Sequence, residues 1–163
     1  MTIALIGPPA AGKSRVGKRL AKRLGLPFVD TDAVVVSQHG PIPQIFLQYG
    51  EPYFRRLERD AVAEALAEPG VVSLGGGAVL DVATQAQLAD SRVVLLTVRP
   101  EAIASRIANS KRPLVTDLDS WKRLVASRID LYTSLADYTA DTSARPIETI
   151  VEEIACWVEE GNR

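Results

Sequence analysis

The sequence predicts an α/β fold in which a parallel sheet is covered by helices on both faces. Short apolar runs of strand length alternate with amphipathic helical segments along the chain, the order that winds strands and crossover helices into one layered domain. The runs "VVSL" (residues 71–74) and "RVVLLTV" (92–98) are β-branched and almost unbroken by polar residues, as in strands buried on both faces. Sheets of this kind bind ligands beyond the carboxyl ends of their strands.

"TIALI" (2–6) opens as a buried strand. "KSRVGKRLAKRLG" (13–25) follows as an amphipathic helix, with Val16, Leu20 and Leu24 on one face and Gly25 as its stop. "PFVD" (27–30) is the next strand, and "AVVVSQHG" (33–40) is broken by Gly40 and Pro41. "PQIFLQYG" (43–50) leads into the long helix "PYFRRLERDAVAEALAE" (52–68), where Pro52 takes a favourable first-turn position and Gly70 closes the helical region. Helical segments follow both "VVSL" and "RVVLLTV". "WKRLVASRIDLYTSLA" (121–136) is a further helix, "YTAD" (138–141) a weak final strand, and "PIETIVEEIACWVEE" (146–160) an amphipathic closing helix that begins with proline.

A chain of 163 residues fits a single domain with one real core, so residues 1–163 are read as one unit. Apolar residues at 47% and charged residues at 24% exclude a disordered chain, and no apolar run is long enough to cross a bilayer. No basic leader precedes "MTIALIGPPAAGKS", and a cytoplasmic protein is expected. The formal net charge of −1 argues against nucleic acid as a partner. The basic stripe "KRLAKR" (18–23) reads as the solvated face of its helix. Cys156 is expected as a buried small hydrophobe, and there is no Cys or His cluster for a transition metal. His39 falls in a surface turn, Trp121 and Trp157 are expected to pack, and Phe46 and Phe54 fit the core.

Gly7, Gly12, Lys13 and Ser14 in "GPPAAGKS" match G-x-x-x-x-G-K-[ST] at the junction of the first strand and first helix. Glycines let backbone N–H groups turn inward around phosphate oxygens, and the helix N-terminus adds its partial positive charge. Lys13 is placed to reach the β- and γ-phosphates of a nucleoside triphosphate, and the Ser14 hydroxyl to ligate Mg²⁺. Pro8, Pro9 and Ala10 stiffen the loop without removing the donors that matter.

Three further features bear on the acceptor. Gly75, Gly76 and Gly77 follow a buried strand, and a run without side chains suggests close approach by a ligand. "GEPYFRRLERD" puts Arg55, Arg56, Glu58 and Arg59 on one helix, where most of the charge should be solvated and the Arg55–Arg59 repulsion needs Glu58 or an anion between them. "NSKRPLVTD" carries Lys111 and Arg112 and is placed to be a lid at about 109–118 that closes over the phosphates and excludes water. The pair Asp30 and Asp32 in "FVDTDAV" (28–34) sits at the end of a strand, where two adjacent carboxylates call for separate partners if both are to stay ionised.

Taken in order and spacing, "GPPAAGKS", "DTD", "FRRLE", "SLGGGAV", "KRPLV" and "SRIDLY" resemble the shikimate kinase family over nearly the whole chain. The resemblance implies a nucleoside-monophosphate-kinase-like fold with a five-stranded parallel sheet. It also implies transfer of phosphate from ATP, with Mg²⁺, to the 3-hydroxyl of shikimate. Gly7, Ala10, Ala11, Gly12, Lys13, Ser14 and Arg15 would bind ATP, with Arg106, Arg145 and Pro146 on the adenine side. Asp30 would support Mg²⁺ with Ser14, and Asp32 would bind the shikimate hydroxyls. Arg55 and Arg128 would hold the carboxylate, with Gly75, Gly76 and Gly77 beside it, inside a helical acceptor region at about 32–60 that would set Phe46 and Phe54 beside the acceptor pocket rather than in the core. Arg112 would reach the phosphates as the lid closes, making Lys13, Asp32 and Arg112 the expected catalytic set in a monomer.

Three positions depart from the family pattern: Ala10 stands where glycine is common, Arg15 where a hydroxyl residue often follows, and Asp130 where proline is usual. Asp130 is placed to pair with Arg128 and weaken its hold on the acceptor. The alternatives are a gluconate kinase or nucleoside monophosphate kinase, and, in a different class, a nucleotide-binding regulator without transferase activity. A monophosphate acceptor would demand more arginines around a dianion, and a regulator has no evident need for Asp32.

Overall fold

The computed structural model describes residues 1–104, 106 and 117–161; Lys111 and Arg112 lie outside them. The strands are β1 (Thr2–Ile6), β2 (Phe28–Asp30), β3 (Gly70–Ser73), β4 (Arg92–Thr97) and β5 (Tyr138–Asp141). The main helices are α1 (Lys13–Leu24), α2 (Thr31–His39), α3 (Ile42–Tyr49), α4 (Glu51–Leu66), α5 (Val82–Leu88), α6 (Leu118–Leu135) and α7 (Ile147–Glu160). The five strands form one sheet in the order β2-β3-β1-β4-β5. Every pairing is parallel. β1 is the centre of this sheet, so the turn after it opens where the chain leaves to build strands on either side, the usual crevice for a ligand.

β1 is buried on both faces, and its alternation divides the core. Ile3 and Leu5 pack with Val94 and Leu96 of β4 under α1 and α7, against Val16, Leu20, Ile150 and Ile154. Ala4 and Ile6 face the other way, toward Val62 of α4, Leu88 of α5 and Tyr132 of α6. A smaller cluster of Val35, Ile45, Phe54 and Ala61 holds α2, α3 and α4 together. Phe46 joins it, its ring 5.1 Å from that of Phe54. Full burial of side chains such as Ile45 and Phe54 contributes about 1.5–3 kcal/mol each, enough to fix this helical region beside the sheet.

Gly25 ends α1 as expected, at φ 68°. Gly70 does not close a helix: α4 ends at Leu66, and Gly70 opens β3, donating its N–H to Met1 O at 3.1 Å. His39 is exposed, but it belongs to the last turn of α2 rather than to a loop. Cys156 is exposed, not buried, because α7 turns Ile150, Val151, Ile154, Ala155 and Val158 inward. The basic stripe on α1 is more than a solvated face. Arg19 pairs with Glu148, and Arg23 with Glu152 at 2.8 Å and Glu159 at 3.0 Å, so it lies along an acidic face of α7. Trp121 is 2% exposed, and the half-buried Trp157 stacks on Tyr138 with ring centroids 5.1 Å apart.

Candidate active site

Between β1 and α1 the backbone closes into a loop through Gly7 (φ 143°), Ala10 (φ 66°) and Gly12 (φ 89°). A Cβ at Gly7 would collide with the Leu96 carbonyl oxygen of β4, so only glycine fits there. Ala10 is the only non-glycine with positive φ among the described residues, which accounts physically for glycine being the easier choice at that position. The carbonyls of five successive residues are held by side chains, two by the loop's own lysine and three from outside the loop. Lys13 Nζ donates to Gly7 O and Pro8 O, each at 2.9 Å. Trp121 Nε1 donates to Pro9 O at 2.8 Å, Arg106 Nη1 to Ala10 O at 3.1 Å, and Thr142 Oγ1 to Ala11 O at 2.7 Å. In a planar peptide the N–H points opposite the carbonyl, so these bonds turn the Ala10 and Gly12 N–H groups inward. The N-terminus of α1 has no capping side chain and no acidic residue in its first turn, leaving its N–H groups to an anionic ligand.

β2 and β3 bring the first aspartate to this loop. Asp30 pairs in register with Ser73, and Ser73 with Leu5 of β1. The Ser14 hydroxyl donates to Asp30 Oδ2 and lies 3.5 Å from Ser73 Oγ. Asp30 Oδ1 accepts from Ala33 N at 3.1 Å, capping α2. Ser14 and Asp30 therefore form a hydroxyl–carboxylate pair beside the phosphate loop. Among the described residues no group of three His, Cys, Asp or Glu side chains could hold a metal ion. Mg²⁺ keeps several waters and takes its remaining ligands from one or two carboxylates and substrate phosphates, and the Ser14–Asp30 pair beside the loop has donor chemistry of that kind.

Asp32 points to a different neighbourhood. It lies in the first turn of α2, where the helix dipole favours negative charge. A Cβ on Gly75 would stand 2.7 Å from both Asp32 Oδ1 and Glu58 Oε2, so the glycine is what lets two carboxylates approach this edge. A Cβ on Gly76 would press on Pro9, and one on Gly77 would lie 2.5 Å from Arg55 Nη2. Glu58 is 3% exposed and accepts from Arg55 Nη1 at 2.7 Å. Burial pushes the Glu58 carboxyl above the usual carboxylate range, Arg55 pulls it down, and the weaker influences of Asp32 and Arg128 oppose one another. For Arg55, burial works against the charge, and the carboxylates of Glu58 and Glu51 outweigh it. Arg59 bonds Asp81 at 2.6 Å, which resolves the expected Arg55–Arg59 repulsion by giving each guanidinium its own acid.

Arg128, on α6, is 5% exposed, and Tyr132 one turn later donates its hydroxyl to Gly76 O at 2.6 Å. Asp130 is exposed and shares no side with the buried Arg128, so the expected pairing between them is not made. Arg145 bonds Asp141 O and Glu153, holding its guanidinium at the mouth of the site, while Pro146 is exposed just ahead of α7.

An open cavity of about 350 Å³ joins the two halves. Ala10, Ala11, Gly12, Lys13, Ser14, Arg15 and Asp30 line it on the phosphate side, Asp32, Gly75 and Gly76 on the other, with Arg106 and Arg145 at one end. Arg55, Gly77 and Arg128 stand outside this lining; Arg55 and Gly77 line a neighbouring cavity of about 250 Å³ together with Glu58. The sequence reading missed Ser73 and Thr142, although Ser73 is the polar end of the apolar strand β3 and Thr142 directly follows β5. It gave no positioning role to Trp121, Tyr132 or Glu58.

A parallel sheet of this order, with a phosphate loop after its central strand and two aspartates at the next strand's end, defines a P-loop kinase. The Shikimate kinase family model matches residues 9–159, and the chain belongs to the shikimate kinase family. The shikimate kinase of Thermobifida fusca is 46% identical over 156 residues, 93% of this chain and 91% of that protein. That of Streptomyces coelicolor is 43% identical, covering 92% of this chain and 91% of its own. Among solved structures, shikimate kinase from Acinetobacter baumannii in complex with shikimate superposes with a TM-score of 0.92 at 30% identity, covering 98% of this chain and 93% of that one. A gluconokinase from Sinorhizobium meliloti shares the fold at a TM-score of 0.62 and 19% identity.

Proposed function

We propose that this chain transfers the γ-phosphate of ATP to the 3-hydroxyl of shikimate, giving shikimate 3-phosphate. The observation that carries this reading is one cavity with a phosphate loop on one wall and Asp32 with Gly75 and Gly76 on the other, backed by the buried Arg128 and the Arg55–Glu58 pair. The loop N–H groups and Lys13 hold the phosphates. Asp32 accepts hydrogen bonds from the acceptor hydroxyls, and the Arg55 and Arg128 guanidiniums with the Gly76 and Gly77 backbone grip a carboxylate. Phosphoryl transfer then needs mainly alignment and charge neutralisation. Mg²⁺, held by Ser14 and Asp30, supplies part of that neutralisation when bound. Arg112, outside the described residues, is assigned to the phosphates by the family resemblance alone, and Arg106, Arg145 and Pro146 border the adenine. The protein acts as a monomeric cytoplasmic enzyme of one domain; no described helix is long and apolar enough to cross a membrane.

Gluconate too carries hydroxyls and a carboxylate, so what favours shikimate over it is the family match over residues 9–159, against 19% identity to the gluconokinase. ADP release from MgATP is expected with shikimate and not with gluconate or nucleoside monophosphates. A flat signal with shikimate from folded, ATP-binding protein would overturn the assignment.

A further inference from the structure

α6 touches both halves of the site from a single face. Trp121 in its first turn bonds Pro9 O of the phosphate loop, and Tyr132 near its end bonds Gly76 O of the triple glycine. Both rings are buried, at 2% and 0% exposure. At 3.6 residues per turn, Arg128 and Tyr132 leave the helix about 20° to either side of Trp121, and the two anchors stand about 16 Å apart along its axis.

Each bond fixes a peptide plane. Turning the Pro9 carbonyl toward the indole aims the Ala10 N–H into the phosphate loop, and turning the Gly76 carbonyl toward the phenol aims the Gly77 N–H away from α6, on a residue whose Cα lies against the Arg55 guanidinium. We propose that Trp121 and Tyr132 are positioning residues, by which α6 sets the phosphate loop and the acceptor glycines at a fixed separation and orientation. Arg128, one turn earlier on α6, is buried at 5% exposure, so the phenol and one arm of the carboxylate grip share the same helix face. Burial raises the Tyr132 pKa above that of a free phenol, which keeps the hydroxyl protonated and donating through the neutral range. Neither residue touches the reacting atoms, and their effects divide by substrate.

The inference rests on shikimate as the acceptor, so wild-type turnover with shikimate is measured first. Tyr132→Phe keeps the buried ring and deletes one oxygen. Its KM for shikimate should rise about tenfold while its KM for MgATP stays within about twofold of wild type. Trp121→Phe should give the opposite split, a raised KM for MgATP and an almost unchanged KM for shikimate. A purely structural role would lower the melting temperature and move both constants together. Equal shifts in both constants, or an unchanged shikimate KM in Tyr132→Phe, would overturn the inference; because that variant retains its packing, it decides the matter even if Trp121→Phe fails to fold. Absence of any shikimate turnover by wild type would overturn the assignment of the acceptor, and this inference with it, whereas wild-type turnover without the split overturns the inference alone.

Discussion

Arg55 Nη1 donates to Glu58 Oε1 at 2.7 Å, and the carboxylate it meets is 3% exposed. Breaking a buried pair from one side leaves the other charge uncompensated, at about 3–5 kcal/mol. In the folded state Glu58 already binds a proton more readily than in the unfolded chain, so the stability it contributes is greatest below the ordinary carboxylate pKa and falls as pH rises through its raised value. Removing Arg55 widens that window. Urea denaturation of Arg55→Ala is therefore expected to show a deficit of about 3 kcal/mol at pH 8 that shrinks toward pH 5. A deficit independent of pH would mean that Glu58 is not the group left unpaired.

Asp30 and Asp32 should separate cleanly. Asp30→Asn can still cap α2, so the fold is expected to hold while the free Mg²⁺ needed for half-maximal rate rises about tenfold. Asp32→Asn should keep nucleotide binding and lose most turnover with shikimate. Calorimetric ATP binding and initial rates over a Mg²⁺ series measure both, and interchangeable phenotypes would contradict the division of labour.

Gly75→Ala places a methyl 2.7 Å from both Asp32 Oδ1 and Glu58 Oε2. One carboxylate or the strand end must move, and a displacement of this kind costs about 100-fold in rate. We expect kcat/KM for shikimate to fall by about that factor, with ATP affinity nearly retained.

Ala10 sits at φ 66°, where a side chain costs about 1–2 kcal/mol and glycine is free of that term but loses more entropy on folding. Ala10→Gly is expected to gain about 0.5–1 kcal/mol, seen as a melting temperature raised by about 1–3 °C. A fall in melting temperature would show that the loop needs the alanine methyl.

The three central strands β1, β3 and β4 were legible because strands covered on both faces must be apolar at nearly every position, as in "RVVLLTV"; β2 and β5, at the sheet edges, carry a weaker signal. α2 was less so: Val34, Val35 and Val36 form a run that fits either helix or strand, and only Val35 is buried. The phosphate loop could be read from its local pattern, and so could the separation of Asp30 from Asp32, because strand β2 ends between the two. Glu58 could not. Whether a helical acid is solvated or buried depends on what the helix packs against, here a glycine edge contributed by β3 and its exit. The hydrogen bonds of Trp121 and Tyr132 were hidden for the same reason, since each joins residues far apart in the chain.

The outward anchoring of the phosphate loop has a consequence for reuse. Beyond Lys13, the partners of its carbonyls are Trp121, Arg106 and Thr142, none of them near the loop in sequence. "GPPAAGKS" is thus only part of the instruction for its own shape. Grafted after a strand in another protein, the octapeptide would carry its lysine and serine along but leave behind the struts that aim its N–H groups.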